Sequence, residues 1–124
     1  MGFRIELFVA DLDASIAFYE RVLGFVLERR DDGYASLRLG DAVLGLGPID
    51  KLPPDGPPPG FTQERLAGVR GAGVEIVIEV EDLDAAFARA RDHVAEPIRL
   101  RPWGLRDFRL ADPDGYYLRV TTEV

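Results

Sequence analysis

An internal repeat constrains the fold of this chain more than any other feature of its sequence. The segment Val9–Ala14 has the sequence VADLDA, and 71 residues later Val80–Ala85 has the sequence VEDLDA. At the same offset Ile5 aligns with Ile76. A repeat of this kind indicates two copies of one supersecondary unit, and each copy alone is too small to bury a sheet.

Each copy is predicted to begin with a strand that leads into a helix. Hydrophobic residues occupy alternate positions in Phe3–Val9 and in Val74–Val80, as in strands with one face on a core. The acidic residues that follow each strand can cap a helix and suit its positive end. Apolar residues then recur with helical spacing, at Leu12, Ile16, Tyr19 and Leu23 in the first copy and at Leu83, Phe87, Ala90 and Val94 in the second.

Short strand-like segments follow each predicted helix. They are Phe25–Arg30, Tyr34–Leu39 and Ala42–Leu46 in the first copy, and Ile98–Arg101, Asp107–Ala111 and Tyr116–Thr122 in the second. Both halves are therefore β-α-β-β-β, and the predicted fold class is α+β, with two tandem modules. We expect one domain over residues 1–124, with module one at about 1–47 and module two at about 73–124.

The connector between the modules, Pro48–Gly60, contains six of the nine prolines. Proline lacks the N–H that helices and central strands require, so this segment is predicted to be neither. We interpret it as a link between two modules that fold together. A short helical turn is predicted after it, around Thr62–Val69.

Composition excludes several functional classes. The net charge of −7 argues against binding to nucleic acid or to an anionic membrane, and it favours a cationic small molecule as ligand. The chain has no cysteine and one histidine, which excludes disulfides, thiolate catalysis and a site of several histidines within one chain. No apolar run approaches the roughly 20 residues of a membrane span, and no signal-peptide pattern is present, so we expect a cytoplasmic protein.

The order of the elements resembles that of one known superfamily. The resemblance rests on Asp-Leu-Asp at each helix start, on Phe18-Tyr19 followed by Leu23-Gly24-Phe25, and on the late Asp-Pro-Asp-Gly at 112–115. Over nearly its whole length the chain resembles the vicinal oxygen chelate superfamily, which includes glyoxalase I, extradiol dioxygenases, fosfomycin-resistance enzymes and bleomycin-resistance proteins. The resemblance implies curled sheets around a cavity and a homodimer that closes it.

The resemblance also implies four metal-ligand positions, on the first and last strands of each module, which the enzymes fill with His, Gln or Glu. In this chain they are Arg4, Gly45, Glu75 and Arg119. Arginine stays protonated and repels a cation, and glycine has no side chain. Only Glu75 could bind a metal, so we expect no metal, no other cofactor and no catalytic residue.

Candidate ligand-binding residues surround these positions. Trp103 lies in a Pro-Trp-Gly sequence that resembles bleomycin-resistance proteins, and it is either a core residue or a platform for a flat or cationic ligand. Arg4 and Arg119 either neutralise Glu75 or hold a substrate carboxylate. Three further aromatic residues fall on strand faces opposite the helix-packing residues. The predicted ligand-binding set is Arg4, Phe8, Tyr34, Glu75, Trp103, Tyr117 and Arg119.

Three functions remain open from the sequence. The first is a non-catalytic protein that sequesters a drug or metabolite in a groove between two subunits, as the bleomycin-resistance branch does. The second is a metal-dependent lyase, isomerase or dioxygenase with an atypical ligand set. The third is an interaction module that has kept the fold and lost the ligand. The four residues at the metal positions favour the first.

Overall fold

Two four-stranded mixed sheets, each with one α-helix, form the structure of residues 1–123, which are the residues that this computed structural model describes. Module one contains β1 (Arg4–Val9), α1 (Leu12–Arg21), β2 (Val26–Asp31), β3 (Tyr34–Leu39) and β4 (Ala42–Pro48). Module two contains β5 (Glu75–Val80), α2 (Leu83–Ala90), β6 (Val94–Leu100), β7 (Arg106–Ala111) and β8 (Tyr117–Thr122).

The two sheets have the same topology. Their strand orders are β1-β4-β3-β2 and β5-β8-β7-β6. In each sheet the first and last strands of the module pair in parallel, and the other neighbours pair antiparallel. The predicted architecture of two tandem β-α-β-β-β modules is therefore confirmed.

Equivalent aspartates begin the two helices. The side chain of Asp11 accepts a hydrogen bond from the backbone N–H of Ala14 at 3.1 Å, and Asp82 accepts one from Ala85 at 3.0 Å. Each bond satisfies one of the backbone donors that a helix N-terminus leaves free. The helices are short, with ten and eight residues. None of the helices in residues 1–123 is long and apolar enough to cross a lipid bilayer.

One hydrophobic core combines the helix side of both sheets. Leu12, Ile16 and Leu83 are buried in it, as the helical spacing predicts. Phe87 is partly buried, and its ring packs edge-on against that of Phe108 with the centroids 5.4 Å apart. Because the core lies on the helix side, the opposite face of each sheet points away from it.

Two predicted boundaries are wrong. The second helix ends at Ala90, and Val94 is the first residue of β6, which starts four residues before the predicted Ile98. Val94 is β-branched, which favours a strand, and it pairs with Leu110 on β7. It therefore belongs to the sheet although its spacing fits the helix. The segment around Thr62–Val69 forms hydrogen-bonded turns, and one of them, from the Leu66 N–H to the Thr62 carbonyl at 3.2 Å, has the i→i−4 spacing of the predicted short helical turn.

The Asp-Pro-Asp-Gly turn of module two binds module one. The hydroxyl of Tyr19 on α1 donates to the buried Asp112 at 2.6 Å. Asp114 accepts hydrogen bonds from the backbone of Ala10 at 2.8 Å and from Arg70 at 2.5 Å. Burial, and then the charge of Asp112, raise the pKa of Tyr19 far above its ordinary value, so this hydroxyl remains a donor at physiological pH. The junction fixes how the two sheets are placed relative to each other.

Replacing Tyr19 with Phe should lower the free energy of unfolding by about 2 kcal/mol, because hydrogen bonds to charged groups contribute about 1.5–3 kcal/mol. Urea denaturation measures this loss. Tyr34→Phe is the matched control, since the Tyr34 hydroxyl also bonds a carboxylate, that of Glu6, whose side chain is 39% exposed so that water can replace the bond. We expect a loss below about 1 kcal/mol for the control. Equal losses for the two variants would contradict the role of the junction.

Candidate functional site

Strand alternation gives each sheet an open face, which is the face turned away from its helix. On β1 the side chains of Leu7 and Val9 are buried on the helix side, and those of Arg4, Glu6 and Phe8 alternate with them. The open face of module one also includes Tyr34. The open face of module two includes Glu75, Val77, Asp107, Arg109, Tyr117 and Arg119, which lie on neighbouring strands β5, β7 and β8.

An internal ion pair occupies the open face of module one. The Nε of Arg4 donates to the Oε1 of Glu6 at 3.1 Å. Glu6 is paired with Gly45 on the adjacent strand, and a Cβ built on Gly45 would collide with the Glu6 carboxylate and the Tyr34 hydroxyl. Burial, and then the hydrogen bond to Glu6, raise the pKa of Tyr34. The space that a side chain at position 45 would need is therefore filled by these two groups.

Phe61 covers part of the same face. Its ring lies 4.6 Å from that of Phe8, measured between centroids. The segment before Phe61 is fixed by hydrogen bonds from Arg65 to the Gly56 carbonyl at 2.7 Å and from Gln63 to the Leu52 carbonyl at 2.9 Å. Nothing in the sequence pattern marks Phe61 as a neighbour of Phe8, because the contact depends on how the connector folds back over the sheet.

A buried carboxylate, that of Asp107, organises the open face of module two. It is 0% exposed. The Nε atoms of Arg101 and Arg109 donate to its Oδ1 at 2.9 and 3.3 Å, and the Nη1 of Arg119 lies 3.8 Å from its Oδ2. Burial acts to raise the pKa of Asp107, but the hydrogen bonds from Arg109 and Arg101 outweigh it and hold that pKa below its ordinary value.

Each of these arginines has a second partner on the same side of the sheet. Arg119 donates from Nε to Glu75 at 3.2 Å, and Arg101 donates from Nη2 to Glu96 at 2.9 Å. Arg109 donates from Nη1 to the Tyr117 hydroxyl at 2.9 Å. We call this group the arginine cluster; it consists of Arg101, Arg109, Arg119, Glu75, Glu96, Asp107 and Tyr117.

Trp103 lies beside the arginine cluster and is not a core residue. Its side chain is 58% exposed. It projects from a turn closed by a hydrogen bond from Gly104 N–H to the Arg101 carbonyl at 2.9 Å, and Gly104 there has φ of 95°, a conformation that favours glycine. The guanidinium carbon of Arg119 lies 5.6 Å from the indole centroid, within the range of a cation–π contact.

The structure divides the predicted site residues into two groups. Glu75, Trp103, Tyr117 and Arg119 lie together in module two, and Arg4, Phe8 and Tyr34 lie on the open face of module one. Among residues 1–123 no hydrogen bond or ion pair joins the two groups. The single cluster of Arg4, Glu75 and Arg119 that we expected is therefore not formed within one chain, because the shared core lies between the two open faces and Arg4 pairs with Glu6 instead.

The four metal positions of the resemblance do not fit a divalent cation. Arg4 and Arg119 are positively charged and engaged with Glu6 and Glu75, and the side-chain space at Gly45 is filled. Hard divalent cations require several oxygen ligands, and softer ones prefer imidazole or thiolate. In the described part of the chain no group of three or more His, Asp or Glu side chains is placed to hold a metal.

Sequence reasoning missed Asp107, Arg101 and Arg109. A signal for two of them was present, because Asp107 and Arg109 alternate with the buried Phe108 and Leu110 on β7 and so share a face with Arg119. Arg101 gave no such signal. It follows the last residue of β6, and its approach to Asp107 depends on the turn that contains Trp103.

Comparisons with known proteins identify relatives of this fold. Residues 3–120 match the family model of the Glyoxalase/Bleomycin resistance protein/Dioxygenase superfamily. No curated protein matches the chain. The structure is similar to TioX from Micromonospora sp. ML1, with 22% identity, 100% of both chains covered and a TM-score of 0.77. At that identity the likeness shows the fold alone.

Two further similar structures have printed functions. A bleomycin-binding protein complexed with bleomycin is 26% identical, with 100% of this chain and 99% of that chain covered and a TM-score of 0.69. A bleomycin resistance determinant encoded on the transposon Tn5 is 25% identical, with 99% and 98% covered and a TM-score of 0.70. Both fit the bleomycin-resistance-like branch that the Pro-Trp-Gly sequence indicated.

Replacing Asp107 with Asn should lower the free energy of unfolding at pH 7 by about 3 kcal/mol, because it leaves partly buried guanidinium groups without their shared, fully buried carboxylate. The folded pKa of Asp107 lies below the unfolded value of about 3.9. Its contribution is therefore present above pH 4 and is lost as the pH falls through the folded pKa. Urea denaturation from pH 7 down to pH 3 should show a smaller acid-side loss in the variant.

The control for this experiment is Glu28→Gln. Glu28 pairs with Arg38 at 3.0 Å, but both side chains are more than 40% exposed. Exposed ion pairs contribute about 0–1 kcal/mol. A loss at Asp107 no larger than that at Glu28 would show that the arginine cluster does not depend on the buried carboxylate.

Proposed function

Because the chain belongs to the Glyoxalase/Bleomycin resistance protein/Dioxygenase superfamily, we propose that it binds a small organic molecule without a metal and without catalysing a reaction. The observation that supports this most directly is the chemistry at the four metal positions. Arg4 and Arg119 each form an ion pair, Glu75 is a partner of one of them, and the space at Gly45 is filled. Ion pairs between protein side chains therefore occupy the positions at which a metal would need its ligands.

Two of the similar proteins support a binding role. One of them is known to bind bleomycin, and another is a bleomycin resistance determinant. Their identities of 26% and 25% to this chain are enough to favour a related task, and the proposal is that the task is sequestration of a drug or metabolite. The identity of the ligand is argued separately below from the chemistry of the site.

We place the ligand on the open face of module two. Trp103 and Val77 supply exposed apolar surface, at 58% and 42% exposure, and Arg119 and Glu75 supply polar groups between them. An apolar surface with a few convergent polar groups is the usual form of a small-molecule site. An open sheet face alone does not enclose a ligand, so the site requires a cover.

A second copy of the chain is the proposed cover. Val77 and Trp103 are exposed hydrophobic residues on and beside this open face, and exposed apolar surface of this kind often marks an interface. If the open face of module one of one subunit covers module two of the other, Arg4, Phe8 and Tyr34 enter the same cavity as Glu75 and Arg119. The predicted site would then be complete only in the homodimer. The cytoplasmic location expected from the sequence stays a prediction.

A thermal-shift screen tests the binding proposal. It uses flat cationic, neutral and anionic compounds, each with and without added divalent metals, and hits are quantified by calorimetry. Trp103→Ala should weaken binding at least about fivefold, because loss of an aromatic contact costs about 1 kcal/mol. Val69→Ala, which removes a fully exposed apolar side chain elsewhere, is the control and should bind as tightly as the parent.

Two outcomes would overturn the proposal. Compounds that bind equally well to Trp103→Ala and to the parent would place the site elsewhere. Binding or turnover that appears only with Mn²⁺, Fe²⁺, Ni²⁺ or Zn²⁺ would favour the metal-dependent enzyme instead.

The homodimer has its own test. Sedimentation equilibrium at micromolar concentration should give about twice the chain mass of 13.7 kDa. Val77→Glu places a charge on the open face that the partner would cover and should shift the equilibrium to the monomer, because an unpaired charge is costly to bury. The parent as a stable monomer at that concentration would contradict the proposed cover.

A further inference from the structure

We infer that the ligand of this site is a planar carboxylate, such as an aromatic acid; this inference rests on the proposed function and specifies its ligand class. The net charge of the chain had suggested a cationic ligand. The arrangement of donors on the open face of module two favours the opposite sign, for four reasons that involve local charge, free donors, fixed geometry and adjacent apolar surface.

The local charge of this face differs from that of the whole chain. The charged groups bonded to one another here are Arg99, Arg101, Arg109, Arg119, Glu75, Glu96 and Asp107. With Glu79, which shares this face, four positive and four negative charges leave the face neutral, whereas the chain has −7. A ligand that enters this face therefore meets far less negative charge than the chain as a whole carries.

Free hydrogen-bond donors lie at the surface of the arginine cluster. Within the described residues, Nη1 and Nη2 of Arg119 donate no hydrogen bond. Among these residues, only Nε of Arg70 is a side-chain nitrogen or oxygen that is both buried and without a partner. The terminal nitrogens of Arg119 are therefore not buried and reach solvent. The Tyr117 hydroxyl accepts from Arg109 and donates to no described residue, so its proton is also available. Tyr117 and Arg119 are two residues apart on one strand face.

The guanidinium group of Arg119 is held in place before any ligand arrives. Its Nε is bonded to Glu75, its Nη1 lies near Asp107, and its side chain is only 18% exposed. A fixed planar guanidinium matches the two oxygens of a carboxylate, and it loses little conformational freedom when it binds. Glu75 already accepts from Arg119, so a cationic ligand would have to compete with that arginine for the same carboxylate.

Apolar surface lies directly beside these donors. Val77 pairs with Arg119 in the parallel register of β5 and β8 and is 42% exposed. The indole of Trp103 lies against the same guanidinium group, 5.6 Å from its carbon to the ring centroid. A flat ring against Trp103 and Val77 would place an attached carboxylate at Arg119 and Tyr117. The site thus fits an aromatic acid better than an aliphatic anion or a bare inorganic one.

The experiment compares three indoles that differ in charge: indole-3-carboxylate, indole-3-carboxamide and tryptamine. Dissociation constants are measured by calorimetry or ligand-observed NMR on the intact protein. We expect the carboxylate to bind at least about tenfold more tightly than the amide, because hydrogen bonds to a charged group contribute more than neutral ones. Tryptamine should bind more weakly than both.

Substitutions at Arg119 and Tyr117 test whether these two residues cause the preference for carboxylate over amide. Arg119→Gln should remove the preference for carboxylate over amide, and Tyr117→Phe should reduce it several-fold. Arg21→Gln makes the same charge change on the exposed end of α1 and should leave the preference intact. If Arg119→Gln fails to fold, as judged by circular dichroism, the inference is still tested by the comparison of ligands on the unaltered protein and by the Tyr117→Phe variant.

The outcomes separate the inference from the proposed function. If the amide or tryptamine binds as tightly as the carboxylate and binding still depends on Trp103, the proposed function stands and the carboxylate inference is wrong. If no compound of the screen binds in a Trp103-dependent way, the proposed function fails and the inference fails with it. A carboxylate preference that survives Arg119→Gln would also overturn the inference.

Discussion

A carboxylate buried in a sheet is stable only if donors surround it, and Asp107 obtains those donors from Arg101 and Arg109, with Arg119 close by. The open face of module two follows from this requirement. Satisfying one buried charge fixes two guanidinium groups and orders a third, and the outer edges of these groups determine which ligands the face can accept. Glu75 and Glu96 then balance the surplus positive charge at the periphery.

Equivalent positions in the two modules carry opposite charges, and each charge is neutralised within its own module. Arg4 and Glu75 are equivalent in the repeat, yet one is a cation and the other an anion. Arg4 is neutralised by Glu6 on its own strand, and Glu75 by Arg119 on the adjacent strand. Each module therefore compensates its charge locally, and no ion pair between the two faces is needed. Such compensation leaves no free carboxylate for a cation at the positions where the resemblance implies a metal.

The strand faces and the two sheets could be predicted from the sequence, because they depend on its periodicity. The alternation of β5 and β8 placed Glu75, Tyr117 and Arg119 on one face, and the repeat predicted both sheets. It did not predict that Arg4 would lie apart from them, because the relative placement of the modules depends on the Asp112 and Asp114 junction rather than on any local pattern. For the same reason the contact of Phe61 with Phe8 was not foreseeable.

The pKa shifts within the arginine cluster favour fixed charges over proton transfer. A hydrogen bond from Arg101 lowers the pKa of Glu96, and arginine partners hold the pKa of Asp107 low. Hydrogen bonds to Glu96 and then Asp107 raise the pKa of Arg101, and the bond to Asp107 raises that of Arg109. General acids and bases work best when they titrate near the operating pH. These groups are shifted away from neutrality, so they remain charged near pH 7.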